Sequence, residues 1–168
     1  RSRLLRLTLE NSRDKTVALS DELAAIEKYL EVQNLGTTFP IQYDISVTGV
    51  SDQKKVNIPP MMIQPFVENA VEHGFDKDEK DKQITIDFKM EDNKLSCSVV
   101  DNGKGVDSME VKTRSDKKSL STTITAERLV LFAKEFKVPT GLKINDRKTS
   151  GDQGTEVMLT LPYKISLT

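Results

Sequence analysis

Three short stretches contain residues able to do chemistry together. The first is Glu68-Asn69-Ala70-Val71-Glu72-His73-Gly74. An asparagine offers a neutral carbonyl oxygen to a hard cation, and Mg²⁺ takes oxygen ligands that it shares with phosphates and water. Taken alone, an Asn and a Glu near a helix end read equally as caps and surface groups. The second stretch is Asp101-x-Gly103-x-Gly105, directly after an apolar run. A carboxylate at a strand end can accept a hydrogen bond from an exocyclic amine, and glycines let the chain turn tightly and a flat ring approach. By itself it also reads as an ordinary Asp-Asn-Gly turn. The third is Gly154-Thr155-Glu156, where a threonine hydroxyl can support the aspartate or a water beside the same ring.

Other chemistries are missing. There is no phosphate-binding loop ending in Gly-Lys-Ser or Gly-Lys-Thr, and no Gly-x-Gly-x-x-Gly after a strand. There is no Gly-x-Ser-x-Gly elbow. One cysteine, Cys97, cannot form an intramolecular disulfide, and one histidine, His73, excludes a multi-histidine metal site.

The elements that must position these stretches follow from periodicity. Residues 1–35 read as helical, with a polar interruption over 11–15. Leu19, Leu23, Ile26 and Leu30 share one face, and Ser20 stands where an N-cap would. Gly36 and Pro40 end that helix. Residues 41–47 alternate as a strand, and 49–57 read as a polar connection. A helix over 61–74 carries Asn69, with Pro65 marking a kink or its true start and Gly74 its stop. Residues 76–82 form a charged turn. Ile84–Met90 and Leu95–Val99 form a hairpin around Glu91-Asp92-Asn93. Residues 107–118 read as a polar loop and Thr125–Phe136 as a helix. Leu142–Asn145 and Glu156–Leu161 are a last strand pair joined by the turn from Gly151 to Gly154. Antiparallel strand runs with segregated helices predict a two-layer α+β sandwich rather than a doubly wound sheet.

Composition agrees with one such domain. The chain has 168 residues, 36% hydrophobic and 30% charged, with 25 basic against 26 acidic side chains and a formal net charge of −1. That balance argues against a nucleic-acid partner. No stretch approaches the roughly 20 apolar residues of a membrane span.

In their order and separation, the three stretches and the helix containing Glu127-Arg128-Leu129 resemble the Bergerat ATP-binding fold of histidine kinases, gyrase, Hsp90 and MutL. Ile58-Pro59-Pro60-Met61-Met62-Ile63-Gln64-Pro65-Phe66-Val67-Glu68-Asn69-Ala70-Val71-Glu72-His73-Gly74 is similar to the N-box of the LytS/YehU-type sensor histidine kinases. Leu19 to Leu23 and Tyr29 to Gln33 are similar to that group's connecting helix, and Leu4 to Leu9 to the end of its phosphoacceptor region.

The resemblance implies an ATP-binding kinase catalytic domain over 17–168, preceded by the end of the phosphoacceptor and dimerisation region over 1–16. It implies ATP and Mg²⁺ as cofactors, with Asn69 on the metal and Glu68 beside it as a catalytic group. Asp101 would read the adenine amine, Gly103 and Gly105 would shape the base pocket, and Thr155 would support it. His73, Ser119, Ser121 and Thr122 complete the implied nucleotide contacts, and residues 107–123 would form a lid over the phosphates, with Lys112, Arg114, Lys117 and Lys118 nearby. The implied partners are a response regulator of the LytTR type and a second copy of the chain, in a membrane-anchored parent with this domain in the cytoplasm.

Two features depart from the family pattern. The lid lacks the Gly-x-Gly pair and reads Ser119-Leu120-Ser121-Thr122-Thr123 instead. That leaves open a second reading, a nucleotide-binding scaffold with weakened catalysis. The acceptor histidine of the family would lie before Leu4, so this stretch is expected to bind ATP without phosphorylating itself. A gyrase- or MutL-type ATPase is disfavoured, because its water-activating acid would stand where Pro65 does.

Overall fold

The central hairpin shows how the alternating pattern becomes a sheet. Ile84, Ile86 and Phe88 of one strand and Leu95, Cys97 and Val99 of the next are buried on one face. Asp92 and Asn93, both at positive φ (52° and 61°), make the tight turn between them, as the right-handed twist of a two-residue hairpin demands. The computed structural model describes residues 15–76, 78–105 and 115–167, with side chains of the last stretch described from 122 onward.

The strands in chain order are β1 (Val17–Ala18), β2 (Gln42–Thr48), β3 (Val56–Ile58), β4 (Gln83–Glu91), β5 (Lys94–Asp101), β6 (Gly141–Asp146), β7 (Thr155–Leu161) and β8 (Lys164–Ile165). The helices are α1 (Leu19–Asn34), α2 (Gln64–His73) and α3 (Ser115–Phe136). Five strands form the main sheet in the order β2-β4-β5-β7-β6. β2 runs parallel to β4, and the other neighbours are antiparallel. A small second sheet has the order β1-β3-β8.

The main sheet presents its apolar face to the helices. Leu19, Ile26 and Leu30 of α1, Phe66, Val67 and Ala70 of α2, and Leu129 of α3 join Val157, Leu159 and Leu161 of β7 in one core. This is the two-layer α+β sandwich expected from the order of elements. Among the described residues no helix is long and apolar enough to cross a membrane.

Local readings need four corrections. First, Ser20 does not cap α1. The chain stays extended through Ala18 because Val17 and Ala18 pair with Ile58 and Asn57. Ser20 falls inside the first turn, where its N–H donates to the Gln53 carbonyl at 3.2 Å. Second, the polar connection over 49–57 contains the start of β3. Its Val56 and Ile58 are buried, a signal too short to register as periodicity.

Third, α2 begins at Gln64 rather than 61, with Pro65 in its first turn, where a missing N–H costs nothing. Fourth, α3 starts ten residues before the expected Thr125. The stretch 115–123, expected as part of a lid and partly as loop, is helical. No glycine or proline lies between Ser115 and Phe136 to stop the helix. Lid residues 107–114 lie outside the described residues, as do the side chains of Ser119 and Ser121. The segment 1–14, read as helical and as the end of the phosphoacceptor region, lies outside them too.

Candidate functional site

Asp101 closes β5 and is 6% exposed. Its Oδ1 accepts the backbone N–H of Gly103 at 2.9 Å and that of Thr155 at 3.2 Å. The side chain therefore joins the Asp-x-Gly turn to the first residue of β7, fixing the carboxylate's orientation. Its own carbonyl accepts from Arg147 at 2.9 Å, and the same guanidinium nitrogen reaches the Gln153 carbonyl at 2.9 Å. Arg147 opens the short 3-10 turn Arg147–Ser150 between β6 and β7.

Glycine is required at two places here. A Cβ at Gly103 would lie 2.0 Å from the Gly74 carbonyl oxygen, and one at Gly154, where φ is +111°, would lie 1.9 Å from the Asp101 carbonyl oxygen. The Lys104 N–H donates to that same Gly74 carbonyl at 2.7 Å, and the Lys104 ammonium pairs with Asp76 at 2.8 Å. So the His73-Gly74 end of α2, the Asp101-x-Gly103 turn and the Gly154-Thr155 turn form one backbone junction. The three stretches singled out in the sequence meet there. Gly105, at φ +86°, packs on the Asp146 carboxylate.

On α2, Glu68, Asn69 and His73 are half-buried. Asn69 and His73 lie one turn apart and so share a helix face. The His73 Nε2 is 3.7 Å from a Glu72 carboxylate oxygen. Glu68 and Glu72, also one turn apart, act on Tyr29 of α1. Burial first, then the charges of Glu72 and Glu68, push its phenol up to about 12. Thr122 lies half-buried in α3.

The donor set fits a nucleotide with a shared metal. Asp101 is a purely accepting group held rigid, which suits an amine donor, and a flat ring can approach where Gly103 carries no side chain. Among the described residues no group of three His, Cys, Asp or Glu side chains could hold a metal ion alone. A cation at Asn69 would take most of its ligands from phosphates and water, as Mg²⁺ does.

Residues 60–165 match the family model described as histidine kinase-, DNA gyrase B-, and HSP90-like ATPase. The chain belongs to this ATPase family. It is 32% identical over 165 residues to the sensor protein LytS of Staphylococcus epidermidis, covering 98% of this chain and 28% of that protein. It is 29% identical over 168 residues to the sensor protein LytS of Streptococcus mutans, covering 97% and 28%. The chain thus spans little more than a quarter of these relatives. Among solved structures, the blue-light activated histidine kinase of Erythrobacter litoralis EL346 superposes with a TM-score of 0.60 at 15% identity, covering 86% of this chain and 42% of that one. The catalytic domain of the histidine kinase ThkA gives 0.55 at 17% identity, covering 88% and 95%. The fold is that of histidine kinase catalytic domains.

Sequence reasoning missed Arg147, and with it the grip that holds the Asp101 carbonyl and the Gln153 turn together. An arginine in a polar turn carries no periodic signal, and only the pairing of β5 with β7 brings it to the site. Gly154 reads as a turn residue in the sequence, but its contact with Asp101 depends on that same pairing.

Proposed function

We propose that this ATPase-family chain is the catalytic domain of a two-component sensor histidine kinase, transferring the ATP γ-phosphoryl group to a histidine upstream of Leu4. The observation that carries the reading is Asp101, buried at a strand end and fixed by the Gly103 and Thr155 amides. In this reading Asp101 accepts from the adenine amino group, and the Gly103 and Gly105 backbone gives the base room. Thr155 supports the adenine side. Asn69 supplies an oxygen to Mg²⁺, which when bound neutralises phosphate charge, and Glu68 stands beside it. His73, Ser119, Ser121 and Thr122 contribute polar contacts toward the nucleotide. Catalysis then rests on positioning and charge neutralisation.

Residues 1–16 belong, in the same reading, to the phosphoacceptor and dimerisation region of a membrane-anchored parent, with this domain on the cytoplasmic side. A response regulator of the LytTR type receives the phosphoryl group. The similarity to sensor proteins of the LytS kind supports these assignments. Calorimetric titration with a non-hydrolysable ATP analogue, with and without Mg²⁺, tests the site. In the full-length protein, Asn69→Ala should abolish phosphohistidine formation. An unchanged rate would remove Asn69 from the mechanism.

A second reading is favoured by one observation. α3 runs unbroken from Ser115, through the stretch where a glycine-bearing phosphate lid would be expected. A nucleotide-binding scaffold with weakened transfer would keep Mg²⁺-dependent binding and partner binding, and its Asn69→Ala form would still bind its partner.

A further inference from the structure

The buried polar residues away from Asp101 converge on the turn that leads into α2. Glu22 of α1 is 4% exposed and Arg128 of α3 is 6% exposed. One terminal nitrogen of Arg128 donates to the Pro60 carbonyl at 2.7 Å, the other to the Met61 carbonyl at 3.3 Å. Burial raises the Glu22 carboxyl, and the Met61 backbone and the Arg128 charge close by partly offset that rise. Met61 is thus held through its carbonyl from α3, with the buried Glu22 of α1 close to its backbone. It sits at φ +62°, a left-handed conformation that a side-chain-bearing residue rarely takes. Such strain persists only where the surroundings impose it.

The node is also incomplete. Glu22 Oε2 and Arg128 Nε are both buried with no hydrogen-bond partner among the described residues. Two buried groups that served only to lock a core would be expected to have their hydrogen bonds satisfied. An unused acceptor on α1 and an unused donor on α3, around one strained residue, provide the parts for a second arrangement.

What Met61 moves is α2. That helix starts three residues later and carries Glu68, Asn69 and His73. Its other end is tied at Gly74 to the Gly103 turn by the Lys104 amide. A shift at Met61 therefore reaches the site through a rigid ten-residue helix.

We infer that Glu22 and Arg128 are positioning residues that join α1 and α3 to the nucleotide site through Met61, so that site occupancy and the placement of α1 are coupled. The inference rests on the nucleotide reading given above. Because coupling between sites is reciprocal, a displacement of α1 by whatever precedes it changes nucleotide affinity, and nucleotide tightens α1.

Hydrogen exchange of the 168-residue chain, with and without a non-hydrolysable ATP analogue and Mg²⁺, tests this in the wild type and in Arg128→Met, Arg128→Lys and Glu22→Gln. In the wild type, nucleotide should slow exchange of the α1 amides from Leu19 to Ile26 by about tenfold, within the usual range for coupled sites. Arg128→Met should lose that nucleotide-dependent difference while still binding nucleotide more weakly. Arg128→Lys keeps the charge but lacks the fork that spans two carbonyls, and it should lose most of the difference. Glu22→Gln keeps an acceptor for Met61 and should retain part of it. A purely structural role would raise exchange equally with and without nucleotide. If Arg128→Met fails to fold, the other two variants decide. Nucleotide binding by the wild type with no response in α1, or a response that survives all three substitutions, overturns the coupling and leaves the nucleotide reading intact. A wild type that binds no nucleotide overturns both.

Discussion

The backbone N–H of Thr155 donates to the Asp101 carboxylate at 3.2 Å, across the pairing of β5 with β7. The residue opening β7 therefore holds the side chain that closes β5, and the oxygen doing this also holds the Gly103 amide. The carboxylate's direction is set by backbone, so the consequences of changing it can be separated into stability and binding.

Asp101→Asn keeps one oxygen for both amides and replaces the other with an amino group. Stability should fall by only about 1 kcal/mol, the scale of one weakened hydrogen bond. Nucleotide affinity should drop by at least about tenfold, or 1.4 kcal/mol, because a donor would face the adenine donor. Calorimetry beside thermal unfolding checks this, and equal affinities would exclude Asp101 as the base-reading group.

The glycines around Asp101 are not equivalent. Gly154→Ala combines φ +111° with a 1.9 Å approach to the Asp101 carbonyl, and it should cost about 3 kcal/mol, the upper part of the usual range for one substitution. Gly151→Ala, at φ +81° with nothing within 4 Å, should cost only the left-handed penalty of about 1 kcal/mol. Denaturant midpoints compared at equal slope separate the two.

Tyr29 gives a pH signature. Burial, then Glu72 and Glu68, raise its phenol from the ordinary 10.0 to about 12. The folded state thus prefers the neutral phenol. Its contribution is fully present below pH 10 and is lost as pH climbs through about 12. Tyr29→Phe should show a shallower fall of stability over that window than the wild type, measured by denaturation at a series of alkaline pH values. Identical slopes would remove Tyr29 as the titrating group.

Cys97 is buried in β5, and burial, reinforced by Asp87 and Glu22, pushes its thiol well above the usual range. Only the thiolate attacks thiol reagents. Labelling should therefore be slow in native buffer and should accelerate in parallel with global unfolding as denaturant is added. Rapid labelling of the folded chain would show that β5 opens locally.

Long alternating runs made the sheet legible from sequence. β4 and β5 carry three inward apolar residues each, and Asp92-Asn93 announces their turn. The helix bearing Asn69 was legible because Pro59 and Pro60 precede it and Gly74 stops it, although its start at Gln64 was not. β1, β3 and β8 were not, being two or three residues long and defined by pairing with distant partners. The extension of α3 back to Ser115 escaped because polarity argued loop, whereas the lack of any breaking residue decided the conformation. At the site, Asp101, Gly103 and Thr155 stood out by type. Their partner Arg147 did not, because a lone charged residue in a polar turn announces nothing until the fold brings it to the Asp101 carbonyl.

The β1-β3-β8 sheet has a kinetic consequence. β3 leads directly into Pro59, Pro60 and the turn at Met61, and one of its two neighbours is β8, where Val56 meets Ile165 and the Asn57 amide meets the Ser166 hydroxyl, 109 positions away in the chain. Closing so wide a loop is slow. During synthesis, the segment leading to the Asn69 helix emerges early but waits for the other end of the domain before its seam can shut. A ribosome stalled before Lys164 would therefore display the Asn69 helix with its leading strand paired on one side only.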